Sequence, residues 1–298
     1  MAFYSWKERD MKMIKVPHLV QYQGSKRLLA PKIAQFFPQK IERLIEPFCG
    51  VGAISIYAAA HSLCNNFILN DINGPIVDML EECINSPERL YREYKKIWSK
   101  QFLSGMDTVD YYYEMRELFN KGESIPALTL FILARVAKGA IRYNSSGDMN
   151  QICDKRRFGT KPETIKNNAV AMSSLLKGKV CLQNKDYKDI LKESKPGDLI
   201  YMDPPYQGVA RGLSSRYINS LPFDEFVESL DFLNQKHIDF IVSYDGKTGN
   251  KTFGKNLPES LGCKHLLIEA GRSSQATLNG KEAYTYESLY LSKNLMKG

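Results

Sequence analysis

Short apolar runs and longer amphipathic stretches alternate along this chain. Apolar runs at 44–48, 66–69, 180–183, 198–202 and 240–244 predict buried strands. Helical spacing of apolar positions predicts helices over 25–37, 53–61, 164–176 and 223–236. Three more helices are predicted over 76–84, 87–100 and 110–119, and a strongly apolar one over 125–141. Strands separated by helices argue an α/β fold, a Rossmann-like doubly wound sheet. Two late runs, 265–269 and 287–291, predict an antiparallel pair at the sheet edge. The helix-rich stretch 85–175 reads as an insertion between two parts of one sheet domain, 18–84 and 176–294.

The pattern breaks between Arg142 and Lys161, which is polar, basic and glycine-containing, the character of a functional loop rather than of core. Charge sharpens this. The 298 residues carry a formal net charge of +8, compatible with a polyanionic partner. No apolar run has the length of a membrane span, and the mixed, charged segment 1–17 lacks the apolar core of a signal peptide. The six cysteines form no C-x-x-C pair and make no ligand spacing with the four histidines, so a reduced cytoplasmic protein without a metal site is expected.

Two turns carry candidate chemistry. The run ending at Met202 closes on Asp203, Pro204, Pro205 and Tyr206. An acid, a carbonyl on a rigid turn and an aromatic face suit a planar ring with an amino group. Asp203 and the Pro204 carbonyl can each accept one N–H, and Tyr206 can stack on the ring. The second turn, Glu46 to Gly52 (EPFCGVG), follows a predicted strand and opens a helix. Its glycines permit close backbone approach to a ligand. Asp71, at the end of the next strand, is placed to bond ribose hydroxyls. Ser55 holds the third position of a G-x-G-x-x-G fingerprint, which counts against a dinucleotide, and the segment around Lys26 lacks the spacing of a phosphate-binding P-loop.

Three strings in order, QYQGSK at 21–26, EPFCGVG at 46–52 and DPPY at 203–206, closely resemble the DNA adenine methylase (Dam) family. The resemblance runs from about Val20 to Leu291. It takes in FILNDIN at 67–73, Arg142 to Asn144, Arg156 to Gly159 and the segment from Gly271 to Ser274. It implies S-adenosylmethionine as cofactor, N6 of a flipped adenine in double-stranded DNA as acceptor, and residues 85–175 as the target-recognition region. Cofactor contacts would then fall on Tyr22, Lys26, Phe48, Gly50, Gly52, Asp71, Asp186, Tyr187 and Asp203. The catalytic turn would be Asp203, Pro204, Pro205 and Tyr206. DNA contacts would come from Lys138, Arg142, Tyr143, Asn144, Arg156, Arg157, Arg211, Arg216 and Arg272. A monomer is implied, in a bacterial or phage setting. It would be either the modification partner of a restriction endonuclease, sharing its target rather than touching it, or a solitary enzyme. Tyr22 and Ser25 stand where the family usually has tryptophan and glycine. Members that read GATC usually carry N-V-P-x-G in the middle region, and the residues from Asp148 to Lys155 replace it here. A different target is therefore expected. Asp203 favours adenine; a serine there would lean to cytosine N4, and an asparagine to protein glutamine or RNA. A fold that grips DNA without turnover is the reading from another class, and a cofactor-binding assay separates the two.

Overall fold

The computed structural model describes residues 14–123, 125–139, 141–205, 221–248, 251–252, 255–272 and 284–296. Its centre is a sheet of eight strands, β1 (Arg43–Glu46), β2 (Phe67–Asn70), β3 (Val180–Gln183), β4 (Asp198–Met202), β5 (Asp239–Thr248), β6 (Lys251–Thr252), β7 (Lys264–Arg272) and β8 (Tyr284–Leu291). The order is β3-β2-β1-β4-β5-β8-β7, with β6 paired to β5. Strands β1 to β5 are mutually parallel, and β8 runs antiparallel to both β5 and β7. The predicted antiparallel pair lies at this edge, with β7 outermost.

Side-chain alternation divides the core between the two faces of the sheet. Leu44, Leu69, Leu199, Tyr201 and Ile241 point to one side, and Ile45, Ile68, Ile200, Met202 and Val242 to the other. All five residues of β4 are buried, as a parallel strand covered by helices on both faces requires. Helices α8 (Tyr187–Lys192) and α9 (Phe223–Gln235) cover the second face, where Tyr187, Ile190, Phe226 and Leu230 meet the strands. The first face carries α1 (Ala30–Ile33), α2 (Ala53–Ala60) and α3 (Gly74–Asn85). Beyond these, α4 (Pro87–Lys100), α6 (Pro126–Arg135) and α7 (Pro162–Leu176) pack on α3, α7 also on α2, and α5 (Thr108–Asn120) packs on α6; their Leu90, Tyr94, Phe131, Ile165 and Met172 join the same apolar core. Helices α3, α4, α6 and α7 begin on a proline at the first or second position, where a missing N–H costs nothing.

Two predicted helices differ. The stretch 25–37 is not one helix but a 3-10 turn (Lys26–Leu28), the short α1, and a second 3-10 turn (Ala34–Phe36). Pro31 offers no N–H to the carbonyl of Arg27, so a continuous ladder cannot form. The helix expected over 125–141 stops at Arg135. Val136 turns extended and bridges Cys153, the Asp154 N–H donates to the Arg135 carbonyl at 2.7 Å, and the Ala137 N–H donates to Ile152 at 3.0 Å. The fully buried Arg135 guanidinium donates to the carbonyls of Arg157 and of Thr108, the latter at 2.6 Å. The chain therefore gives up helix to anchor the basic segment. The short α8 was not anticipated; Asp186 caps it, accepting from the Lys188 N–H at 2.9 Å.

A backbone contact joins this region to the 21–26 string. The Gln23 N–H donates to the Gly139 carbonyl at 2.8 Å. Gly139 has φ +62°, and a Cβ there would stand 2.2 Å from the Gln21 carbonyl oxygen. Gly139→Ala is expected to destabilise the fold by about 1–3 kcal/mol, read as a lowered urea midpoint. An unshifted midpoint would show that the two segments do not need this approach.

Candidate active site

The strand order reverses between β1 and β4, where a doubly wound sheet opens a crevice beyond its strand ends. The glycine turn leaves β1 there and Asp203 leaves β4 beside it. A cavity of about 490 Å³ occupies the crevice, within the range of small-molecule sites. Tyr22, Lys26, Phe48, Gly50, Asp71, Asp186, Tyr187, Asp203, Pro204 and Pro205 line it, so most of the predicted cofactor residues and three of the four predicted catalytic ones meet in one place.

The glycine turn is held from below by Asn70. Its Nδ2 donates to the Pro47 carbonyl at 2.9 Å and to the Lys185 carbonyl at 3.0 Å, and its Oδ1 accepts from the Lys185 N–H at 2.9 Å. This one buried side chain joins the turns after β1, β2 and β3. Gly50 (φ +49°) and Gly52 (φ +69°) both adopt the left-handed conformation. A Cβ on Gly50 would press on the Tyr22 ring at 3.2 Å; Gly52 packs instead against Leu69. The Gly50 N–H donates to Asp71 Oδ2 at 2.8 Å and the Asn73 N–H to Oδ1 at 2.9 Å. Burial raises the Asp71 pKa, and these two donors oppose the shift. A carboxylate has about four lone-pair sites, so Asp71 keeps acceptor capacity toward the cavity. Phe48 and Tyr187 form an aromatic wall, their ring centroids 5.1 Å apart.

The opposite end of the cavity is ionic. Lys26 Nζ donates to Asp203 Oδ1 at 2.7 Å and Oδ2 at 2.8 Å, and lies 3.1 Å from Glu287 Oε1 on β8. Burial disfavours the ammonium, but Asp203 and then Glu287 outweigh it, and the Lys26 pKa is raised. Beneath lies Glu46, fully enclosed, whose Oε1 accepts from the Ser55 N–H at 2.7 Å. Burial, reinforced by Asp203, lifts its pKa to about 7. The buried Tyr201 hydroxyl lines the cavity beside Ser243. An aromatic wall, an acid with spare acceptor capacity and a glycine cradle fit a nucleoside ligand with a polar, charged tail.

Residues 22–274 match the family described as D12 class N6 adenine-specific DNA methyltransferase. The chain belongs to that family. It is 26% identical over 205 residues to the Type II methyltransferase M1.LlaDCHI of Lactococcus lactis subsp. cremoris, covering 62% of this chain and 64% of that one. It is 23% identical over 232 residues to the DNA adenine methylase of Escherichia coli strain K12, covering 75% and 79%. It is also 23% identical over 280 residues to the Type II methyltransferase M.MjaIII of Methanocaldococcus jannaschii, covering 84% and 94%. Family membership implies a methyl donor of the S-adenosylmethionine type and a DNA substrate. Among the described residues no group of three or more His, Cys, Asp or Glu is placed to hold a metal, and no helix is long and apolar enough to cross a membrane.

The expected DNA residues are dispersed. Arg142 and Tyr143 line the cavity, and the Tyr143 hydroxyl donates to Asn73 Oδ1 at 3.2 Å. Asn144 builds a turn, its Oδ1 accepting from the N–H groups of Ser146 at 2.9 Å and Asp148 at 2.8 Å. Arg156 and Arg157 are exposed and lean on Asp154, and Arg157 also donates to Gln21 Oε1 at 3.1 Å. Tyr206, Arg211 and Arg216 lie outside the described residues, as do the side chains of Lys138 and Arg272. Sequence reasoning missed Glu46, Tyr201 and Glu287. The signal for Glu287 was an acid opening a predicted apolar strand.

Glu46 yields a pH prediction. Between its ordinary pKa of 4.5 and about 7 the folded chain holds a proton that the unfolded chain has released. Stability therefore falls as pH rises through that window. Glu46→Gln keeps an acceptor for the Ser55 N–H and removes this slope. Its stability relative to wild type should improve by about 2–3 kcal/mol between pH 5 and pH 8, measured by urea unfolding. Parallel stability curves would refute the assignment.

Proposed function

We propose that this protein is a site-specific DNA methyltransferase that uses S-adenosylmethionine to methylate N6 of an adenine flipped from double-stranded DNA. The observation that carries the reading is the position of Asp203. It stands at the crevice between β1 and β4, on the rim of a cavity suited to a nucleoside ligand. Asp71 would hold the ribose hydroxyls. Tyr187 would contact the adenine ring of the cofactor, with Asp186 at its edge and Phe48 completing the wall toward the methionine part. Gly50 and Gly52 would let the turn approach the methionine part, where Tyr22 and Lys26 also stand. When bound, the cofactor supplies a methyl group as an electrophile on sulfonium sulfur and departs as the thioether.

The N6 lone pair of adenine is delocalised into its ring, so the nitrogen is a poor nucleophile. Accepting its two N–H groups on the Asp203 carboxylate and the Pro204 carbonyl favours a pyramidal nitrogen with its lone pair aimed out of the ring plane. The nitrogen forms the new bond to carbon with that pair and afterwards gives up a proton. Positive charge reaches the nitrogen during transfer, and Asp203 stabilises it. Pro205 keeps the turn rigid. Extruding the base costs a few kcal/mol, and stacking on Tyr206 offsets about 1–3 kcal/mol of it.

The region 85–175 would read the target. Arg156 and Arg157, exposed on the segment anchored by Arg135, supply cations for phosphates, with Lys138, Arg142, Arg211, Arg216 and Arg272. Tyr143 and Asn144 belong to the turn nearest both the cavity and this basic segment. Similarity to type II methyltransferases and to a DNA adenine methylase supports a modification partner and a solitary enzyme equally.

Single-molecule sequencing of DNA from a methylation-free host expressing the chain tests the proposal. N6-methyladenine is expected at one short motif and is expected to vanish in Asp203→Ala. Unmarked DNA from a wild-type protein that binds the cofactor would instead point to RNA or protein as substrate.

A further inference from the structure

We infer that Glu287 is a positioning residue, one that frees Asp203 for the acceptor amine by offering Lys26 a second carboxylate. The inference rests on the methyltransferase reading above and names a residue that reading does not use. Lys26 Nζ covers both oxygens of Asp203, at 2.7 and 2.8 Å. Those are the atoms that must accept an N–H of the base. An ammonium so close also opposes the positive charge that arrives on the nitrogen during transfer, because like charges repel strongly where water is scarce. Asp203 keeps lone-pair sites for the base, so it is the ammonium's charge beside the reacting nitrogen that a shift of Lys26 toward Glu287 relieves.

Lys26 is 5% exposed, and a buried ammonium left without a carboxylate is costly. Glu287 removes that obstacle. Its Oε1 stands 3.1 Å from Nζ, and the Gly24 carbonyl 3.3 Å away provides a further acceptor. An ammonium has three N–H donors. Four acceptor oxygens surround it, so it can slide from one carboxylate to the other and remain paired. The fold aims Glu287 at this task. The β5–β8 register shifts between Tyr244 and Lys247, which pair with Ser288 and Tyr286, so Glu287 faces an irregularity on the β5 side while it pairs with Ile268 on β7. Such irregularities re-aim side chains. Ser243 Oγ, on β5, donates to Glu287 Oε1 at 3.3 Å and holds it in place. A lysine needed only to neutralise Asp203 would require one carboxylate; Glu287, partly buried, places a second one against the same ammonium.

The test is single-turnover methylation of a target duplex by the full chain, beside the cofactor Kd. Glu287→Gln should slow the step by at least about tenfold while the cofactor Kd stays within about threefold. Glu287→Asp should recover most of the rate. Should Glu287→Gln fail to fold, Ser243→Ala, which only releases the grip on Oε1, should slow the step by about threefold or more. A normal rate in the folded Gln variant, or in Ser243→Ala if that is the variant available, overturns the inference. Equal slowing in the Gln and Asp variants, with lowered melting temperatures, marks Glu287 as packing and also overturns it. A wild-type protein that binds the cofactor but methylates no DNA defeats the methyltransferase reading itself, and the inference falls with it.

Discussion

The buried ion pair between Lys26 and Asp203 is the contact on which the rest of the site depends. It joins a turn near the start of the chain to the end of the central strand, and Glu287 extends it to the antiparallel edge. A buried ammonium tolerates little displacement, since moving it away from its carboxylates exposes the full cost of desolvation. The segment 21–26 is therefore clamped over the crevice although it contributes only a short 3-10 turn of regular structure. Pro31 and Gly139 work in the same direction. One interrupts the helix that would otherwise carry Lys26 along a rod, and the other lets the segment dock on the turn after α6.

The second constraint is the strand order. Because β1 and β4 are neighbours whose following chains leave toward opposite faces, two turns open side by side and neither has to bend across the other. Asn70 then fixes the spacing by tying three turns with one amide. Each of its hydrogen bonds ends on a backbone group, so the cradle does not depend on the identity of neighbouring side chains. Asp71 follows directly and takes its two N–H donors from the same turns. The Asp71 carboxylate is thus oriented by the chain itself.

Much of this was legible in the residues, and what was not follows a physical rule. The strands Val180–Gln183 and Asp198–Met202 and the helix Pro87–Lys100 match their predicted bounds, because apolar runs and an N-terminal proline are local signals. The cavity residues Lys26, Asp71 and Asp203 were legible because short strings carry them. The helix predicted over 125–141 failed because its end is decided by pairing with residues 152–154, a contact that no local pattern encodes. Glu287 and Glu46 were missed for a related reason. Each is one acid in an apolar strand, and only the three-dimensional arrangement shows that both sit beside Asp203.

The same reasoning changes the meaning of Tyr143. Its neighbours in sequence are basic and polar, which suggested a side chain facing DNA. Its hydroxyl also reaches Asn73, whose own N–H holds Asp71. Tyr143 also pairs with Met149 across the turn that Asn144 closes. A continuous path of hydrogen bonds and backbone therefore runs from Asp71 to the turn at 144–148. The cavity and the basic segment are consequently two ends of one packed unit, held together by Tyr143 on one side and by the Gln21 to Arg157 contact on the other.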